Sequence, residues 1–293
     1  MSPAVTILDG GLATELERNG HDLSDDLWSA RLLLEEPAAV RAVHEAFFRA
    51  GAQVATTASY QASFEGFGRR GLSRSAAAAL MRSSVSVARE AAAAVGGELL
   101  VAASVGPYGA VLADGSEYHG DYGVGDGFLR DFHGPRLEVL ASAGPDLLAI
   151  ETIPCEQEVT VLLSLLAELD GLPPAWLSLT CATSSTTRAG EDAARVFSSA
   201  AGHPGVVAVG VNCTAPEHVE ALVRTAVAAG RKPAVAYPNS GESWDPATNT
   251  WGGDGRGLSA EAARRWVDAG AQWVGGCCRV TSGDIADLAA AFR

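Results

Sequence analysis

Short apolar runs and amphipathic stretches alternate from one end of the chain to the other. The apolar runs cover residues 5–8, 53–59, 99–105, 146–150, 175–179, 206–211, 234–237 and 272–275. Each is short and lacks polar alternation, the pattern of a parallel strand covered on both faces. Helical patterns fill the gaps at residues 38–49, 75–95, 128–142, 156–169, 193–201, 216–229, 260–269 and 284–292. Gly51, Gly144, Gly230 and Gly270 stand where the residue after a helix end belongs. Ser259 and Ser282 read as N-caps.

Eight strands alternating with helices predict a parallel α/β fold. The count favours one (β/α)₈ TIM barrel, spanning residues 1–293, over an open doubly wound sheet. A chain of 293 residues suits such a barrel, and no linker or second domain interrupts the pattern. Residues 106–127 and 239–257 are Gly-rich and polar, and they read as long loops over the barrel mouth. In this architecture chemistry sits at the C-terminal ends of the strands. Those ends carry Asp9-Gly10-Gly11, Thr57 to Tyr60, Gly106-Pro107-Tyr108 and Glu151-Thr152. They also carry Cys181, Asn212-Cys213, Pro238 to Glu242 and Cys277-Cys278-Arg279.

Composition narrows the picture. Hydrophobic residues make up 47% of the chain but aromatics only 6%, so Ala, Val and Leu must build a closely packed core. A net charge of −14 argues against a nucleic-acid surface or an anionic membrane as partner. The N-terminus lacks a basic, then apolar, targeting pattern, and no run of ~18 apolar residues suggests a span. These features point to the cytoplasm, where five cysteines do not form a disulfide framework. Helix faces alone do not reveal the oligomeric state.

Three cysteines fall at two strand ends: Cys213 after the sixth strand, Cys277 and Cys278 after the eighth. Position alone leaves a core role and a metal role open for them. A Cys213–Cys277 disulfide is disfavoured in a cytosolic chain. An adjacent pair plus one remote cysteine is not the spacing of a structural zinc knuckle. Three thiolate ligands leave a tetrahedral zinc one open position, as in a catalytic site. Such an anionic site is a poor Lewis acid toward water but suits a thiol substrate, held as thiolate at neutral pH. Cys155 and Cys181 read as small core residues. The six histidines match no zinc motif.

Asp9 to Leu16, Gly210 to Cys213 and Gly275 to Arg279 together resemble the homocysteine S-methyltransferase family. Ser104 to Gly109 and Tyr237 to Glu242 look like the same family, and the motifs run in order from about Ile7 to Ala289. The resemblance implies a barrel holding Zn²⁺ on Cys213, Cys277 and Cys278, at the ends of strands six and eight, with homocysteine sulfur in the fourth position. It implies that Glu151 accepts from the homocysteine ammonium and that Asp9 and Gly10 form the substrate-binding turn, with Thr56 adding a contact. Trp28 and Tyr60 match aromatic positions of the methyl-donor pocket, where ring faces would attract a sulfonium.

The length leaves no room for a cobalamin or folate module. Betaine-using relatives carry Tyr after the strand-four Glu, where this chain has Thr152. The implied reaction is therefore methyl transfer from S-methyl-L-methionine to L-homocysteine, giving L-methionine, with S-adenosylmethionine a poorer donor. Three rivals keep the cysteines but change the outcome: a methyltransferase for another thiol or selenol such as selenocysteine, an idle zinc-binding protein, and a redox switch.

Overall fold

The computed structural model describes residues 5–23, 29–112, 114–245, 250–252, 255 and 258–293. Eight parallel strands form its centre: β1 (Thr6–Ile7), β2 (Val54–Thr56), β3 (Leu100–Val105), β4 (Leu147–Ile153), β5 (Ala175–Leu179), β6 (Val206–Asn212), β7 (Ala234–Tyr237) and β8 (Ala271–Val274). Each pairs with its sequence neighbours, and β1 also pairs with β8. The ring closes where Leu8 bridges Val54 and the Asp9 N–H donates to the Val54 carbonyl at 3.1 Å. The predicted (β/α)₈ barrel is the observed fold.

The barrel interior explains the scarcity of aromatics. Trp176 and Tyr237 fill it beside Leu8, Val54 and Val235, while Ala102, Ala149 and Ala208 leave them room. Trp176 meets Tyr237 and Trp273 edge to face, and its indole N–H donates to the Tyr237 hydroxyl at 2.8 Å. A large side chain in a narrow barrel forces small neighbours. Gly210 on β6 is the extreme case, because a Cβ there would lie 1.8 Å from the Val235 carbonyl oxygen.

Helices Pro37–Ala50, Arg74–Val95, Asp126–Ser142, Glu156–Glu168, Ala193–Ser199, Pro216–Gly230, Ala260–Asp268 and Ser282–Ala291 are the outer counterparts of the predicted ones. Gly51, Gly144 and Gly270 take left-handed backbone after their helices, as expected. Gly230 does not. It is the last helical residue, kept small because a Cβ would meet Val209 Cγ2 at 2.6 Å, and Arg231 takes the left-handed turn at φ 52°. The last helix is capped by Thr281, not Ser282: Thr281 and Asp284 form a reciprocal capping box. The Ser282 hydroxyl instead donates to Glu15 at 3.0 Å.

Several elements are too short for a periodic signal. Helices Leu12–Arg18, Ser29–Glu35 and Phe64–Arg69 follow or precede strands. The stretch at 106–127 holds a five-residue helix (Tyr108–Leu112) and a 3₁₀ turn (Ser116–Tyr118). The stretch at 239–257 contains an antiparallel pair, Ser243–Asp245 with Thr250–Gly252. No helix among the described residues is long and apolar enough to cross a membrane.

Buried polar groups on the outer helices tie these mouth segments down. Arg136 is fully buried and donates to the carbonyls of Gly106 (2.7 Å), Ser59 (2.9 Å) and Tyr60 (2.5 Å). Glu158 accepts from the Tyr108 N–H (2.6 Å) and the Tyr122 hydroxyl (2.9 Å), and it contacts His133 at 2.8 Å. The loops after β2 and β3 are therefore held from behind.

Candidate functional site

A cavity of about 120 Å³ opens at the C-terminal end of the barrel. Asp9, Thr56, Tyr60, Glu151, Cys213 and Cys277 line it from five different strand ends, together with Gly10, Thr152, Asn212 and Cys278. Glu117 and Tyr118 of the 3₁₀ turn complete the wall. Among the described residues, no Lys, Arg or His lines it.

Local backbone geometry aims the cysteines inward. Asn212 accepts from the Thr152 N–H and donates to the Thr152 hydroxyl, both at 2.7 Å, so the ends of β4 and β6 are locked together. Cys213 follows in left-handed backbone at φ 43°, a rare state for a non-glycine residue. Its carbonyl accepts from the Thr180 hydroxyl at 3.0 Å. Beyond β8 the chain must pass close to β1. A Cβ at Gly275 would meet Leu8 Cβ at 2.6 Å, and one at Gly276 would meet Val280 at 2.2 Å, so only Gly-Gly delivers the pair that follows. The Cys277 N–H then donates to the Pro238 carbonyl at 2.7 Å, and the Cys278 carbonyl accepts from the Ser240 N–H at 3.1 Å.

The Sγ atoms of Cys213, Cys277 and Cys278 all lie within 4.8 Å of one another. Cys213 and Cys277 are in disulfide contact, which corrects the expectation that set this pairing aside. Three sulfurs aimed at one point can be linked pairwise or can share one ion. Cys278 Sγ stands 3.8 Å from Cys213 Sγ and 3.9 Å from Cys277 Sγ. Sulfurs about 2.3 Å from a tetrahedral ion are spaced about 3.8 Å apart, so the reduced trio suits one soft ion. Burial pushes the Cys278 thiol up to about 12, where it stays protonated unless a cation takes the proton's place. Cys155 and Cys181 are buried and stand outside this cluster.

The carboxylates are as unusual as the thiols. Burial pushes Asp9 up to about 8, against the hydrogen bonds it accepts from the Thr56 N–H (2.7 Å) and hydroxyl (3.0 Å). Thr56 thus orients Asp9, and it lines the same cavity. Burial also pushes Glu151 up to about 7, opposed by the Ser104 hydroxyl and by Tyr237. Glu117 rises to about 7 through burial, and its Oε2 is sealed from solvent without a hydrogen-bond partner. An acidic cavity without basic side chains is built to receive cations.

Every predicted site residue within the described part of the chain converges here: Asp9, Gly10, Thr56, Tyr60, Glu151 and the three cysteines. Trp28 lies outside the described residues. Sequence reasoning missed Glu117 and Tyr118, because their segment reads as loop. The Asp114-Gly115-Ser116 turn was the available signal: the Asp114 side chain accepts from the Ser116 N–H at 3.0 Å and fixes the 3₁₀ turn.

A family model described as homocysteine S-methyltransferase matches residues 6–292. The chain belongs to the homocysteine S-methyltransferase family. The Escherichia coli homocysteine S-methyltransferase is 46% identical over 294 residues, covering 98% of this chain and 94% of that protein. The Bacillus subtilis homocysteine S-methyltransferase YbgG is 44% identical, with the same coverage. A selenocysteine Se-methyltransferase from Brassica oleracea is 42% identical, covering 94% of this chain and 85% of that protein. Crystal structures of the E. coli homocysteine methyltransferase MmuM superpose with a TM-score of 0.88 and 44% identity in both a metallated and an oxidized form. They cover 98% of this chain and 96% and 95% of theirs. This family member thus has a three-cysteine cluster at its barrel mouth that suits a metal.

Proposed function

We propose that this protein transfers a methyl group from S-methyl-L-methionine to L-homocysteine, giving two molecules of L-methionine, and that Zn²⁺ is its metal. S-adenosylmethionine is the poorer donor. The observation that carries the reading is the convergence of Cys213, Cys277 and Cys278 on one point of an acidic cavity. An all-thiolate donor set selects soft ions such as zinc, and three ligands leave one position for a substrate sulfur. When bound, zinc holds the homocysteine sulfur as a thiolate at neutral pH.

The chain's own residues do the rest. Glu151 accepts a hydrogen bond from the homocysteine ammonium and is kept in place by Ser104 and Tyr237. The backbone at Asp9 and Gly10 approaches the homocysteine carboxylate; glycine is needed for the turn itself, since a Cβ at Gly10 would stand 2.7 Å from the Val280 carbonyl oxygen and 2.8 Å from Phe47. Tyr60 presents its ring face to the sulfonium, a role that the family resemblance also gives to Trp28, which lies outside the described residues. The new bond forms between homocysteine sulfur and the methyl carbon. The bond from that carbon to the sulfonium breaks, and its electron pair stays on the departing sulfur, which leaves as neutral methionine. No side chain has to remove a proton at this step. Alignment and exclusion of water are the protein's contribution.

The protein acts in the cytoplasm as one homocysteine-binding barrel on small molecules, without nucleic-acid or membrane partners. A donor panel on the reduced, zinc-loaded protein tests the reading. S-methylmethionine with homocysteine should give methionine fastest, and no turnover with homocysteine sinks it. Cys277→Ala should lose both zinc and activity; one retained equivalent of metal refutes the ligand set. Similarity to a selenocysteine Se-methyltransferase supports a second reading, in which selenocysteine is the better acceptor. Initial rates with the two acceptors separate them.

A further inference from the structure

The acceptor side of the cavity has an assigned carboxylate, whereas the donor side has been given only aromatic faces. Two amino acids must enter together, each with an ammonium group. Asp9 has one oxygen on the Thr56 N–H and the other on the Thr56 hydroxyl. Glu151 is engaged by Ser104 and Tyr237 and serves homocysteine. Glu117 is left. It lines the cavity, and its Oε2 is buried with no donor near it.

Its position is not accidental. Gly109 lies so close beneath it that a Cβ there would stand 2.6 Å from the Glu117 backbone nitrogen. Asp114 holds the preceding turn through the Ser116 N–H and hydroxyl. The next residue, Tyr118, carries the Arg188 guanidinium 5.4 Å from its ring centre. Burial raises the Tyr60 hydroxyl most, and the charge of Glu117 raises it next, so the carboxylate stands close to the aromatic wall. Glu117 lines the cavity while its Oε2 is sealed from water without a donor, a costly state that a turn of the carboxyl group toward a ligand N–H in the cavity relieves.

We propose that Glu117 is the donor-side carboxylate of this site, its carboxylate turning to accept a hydrogen bond from the α-ammonium of the sulfonium amino acid. The proposal rests on the methyl-transfer reading above. It makes Glu117 a specificity-determining residue for amino-acid sulfonium donors over sulfonium donors without an amino group. The ammonium persists from donor to product, so the contact stabilises ground state and transition state alike. Its loss therefore appears in the donor KM and not in kcat.

The test uses the zinc-loaded protein, with donor binding by calorimetry and initial rates side by side. Glu117→Gln should weaken S-methylmethionine binding and raise its KM by roughly ten- to hundredfold, the worth of one charge-assisted hydrogen bond. Zinc content and the homocysteine KM should hold. The wild type should prefer S-methylmethionine to a dimethylsulfonium carboxylate lacking the amino group, and Glu117→Gln should lose that preference. Glu117→Asp, which keeps the charge but shortens the reach, should fall between them and serves as the readout if Gln disturbs folding. Three results overturn the proposal: unchanged donor affinity in both variants, a rise in the homocysteine KM instead, or equal weakening of the amino-free donor. A wild type that binds the donor but passes no methyl to homocysteine sinks the reaction instead, and leaves the binding comparison standing.

Discussion

Asp9→Asn should remove a large pH dependence from the stability of the metal-free, reduced protein. Asp9 is buried, and its carboxyl rises from 3.8 to about 8, chiefly through loss of hydration. The folded state therefore holds this proton more tightly than the unfolded chain does. Stability from this group is complete below about 3.8 and is lost as the pH climbs toward about 8. Four pH units at about 1.4 kcal/mol each make roughly 5–6 kcal/mol, and water entering the open cavity screens part of that. A differential loss of about 3–6 kcal/mol between pH 4 and pH 9 is the expected magnitude. Asparagine keeps the shape: its carbonyl can accept from the Thr56 N–H, and its amide can donate to the Thr56 hydroxyl. The assay is urea unfolding of wild type and variant at each pH, read as the difference between the two. Glu117 titrates in the same direction in both proteins and cancels in that difference, whereas Glu151, whose charge also raises Asp9, cancels only in part, which is a further reason for the width of the expected range. Parallel pH curves, or a wild type that gains on the variant as pH rises, would refute the argument, since Asp9 would then be ionised in the fold.

Two further substitutions probe other parts of the structure. Gly210→Ala forces a Cβ to within 1.8 Å of the Val235 carbonyl oxygen, so β6 and β7 cannot both keep their places. It should cost about 3 kcal/mol or more and lower the melting temperature by roughly five degrees or more, with an unchanged melt as the contrary result. Glu151→Gln should raise the homocysteine KM about tenfold or more while zinc stays bound. Because Glu151 lies at about 7, wild-type kcat/KM for homocysteine should climb as the pH rises through neutrality and its carboxylate forms. The variant should lack that limb; a shared limb assigns it to another group.

Strand positions were readable because a parallel strand covered on both faces leaves a short, mostly apolar run; the signal is cleanest in β5 and β7 and weakest in β8, where Gln272 and Trp273 are only half-buried. The thiol cluster was legible in two steps: strands six and eight end at one mouth, so Cys213, Cys277 and Cys278 can meet there, and the family resemblance implied that they share one ion. What escaped depends on contacts between segments distant in sequence. Gly230 looks like a helix stop, but its smallness serves Val209 on a strand some twenty residues earlier. Thr281 outcompetes Ser282 as cap because Glu15, far away in the chain, takes the Ser282 hydroxyl. Glu117 was hidden for a related reason. A three-residue 3₁₀ turn has no period, and its place at the cavity is set by Gly109 packing beneath it.

Arg136 sits on the outside layer of the barrel, yet its guanidinium grips the loops after β2 and β3 through three carbonyls. It reads backbone, so the side chains of those loops are free to vary while their path is preserved. Loops after β2 and β3 moved between relatives should therefore seat properly only in hosts that keep arginine at this helix position. Substrate range can then be re-engineered by exchanging loop side chains above an unchanged anchor.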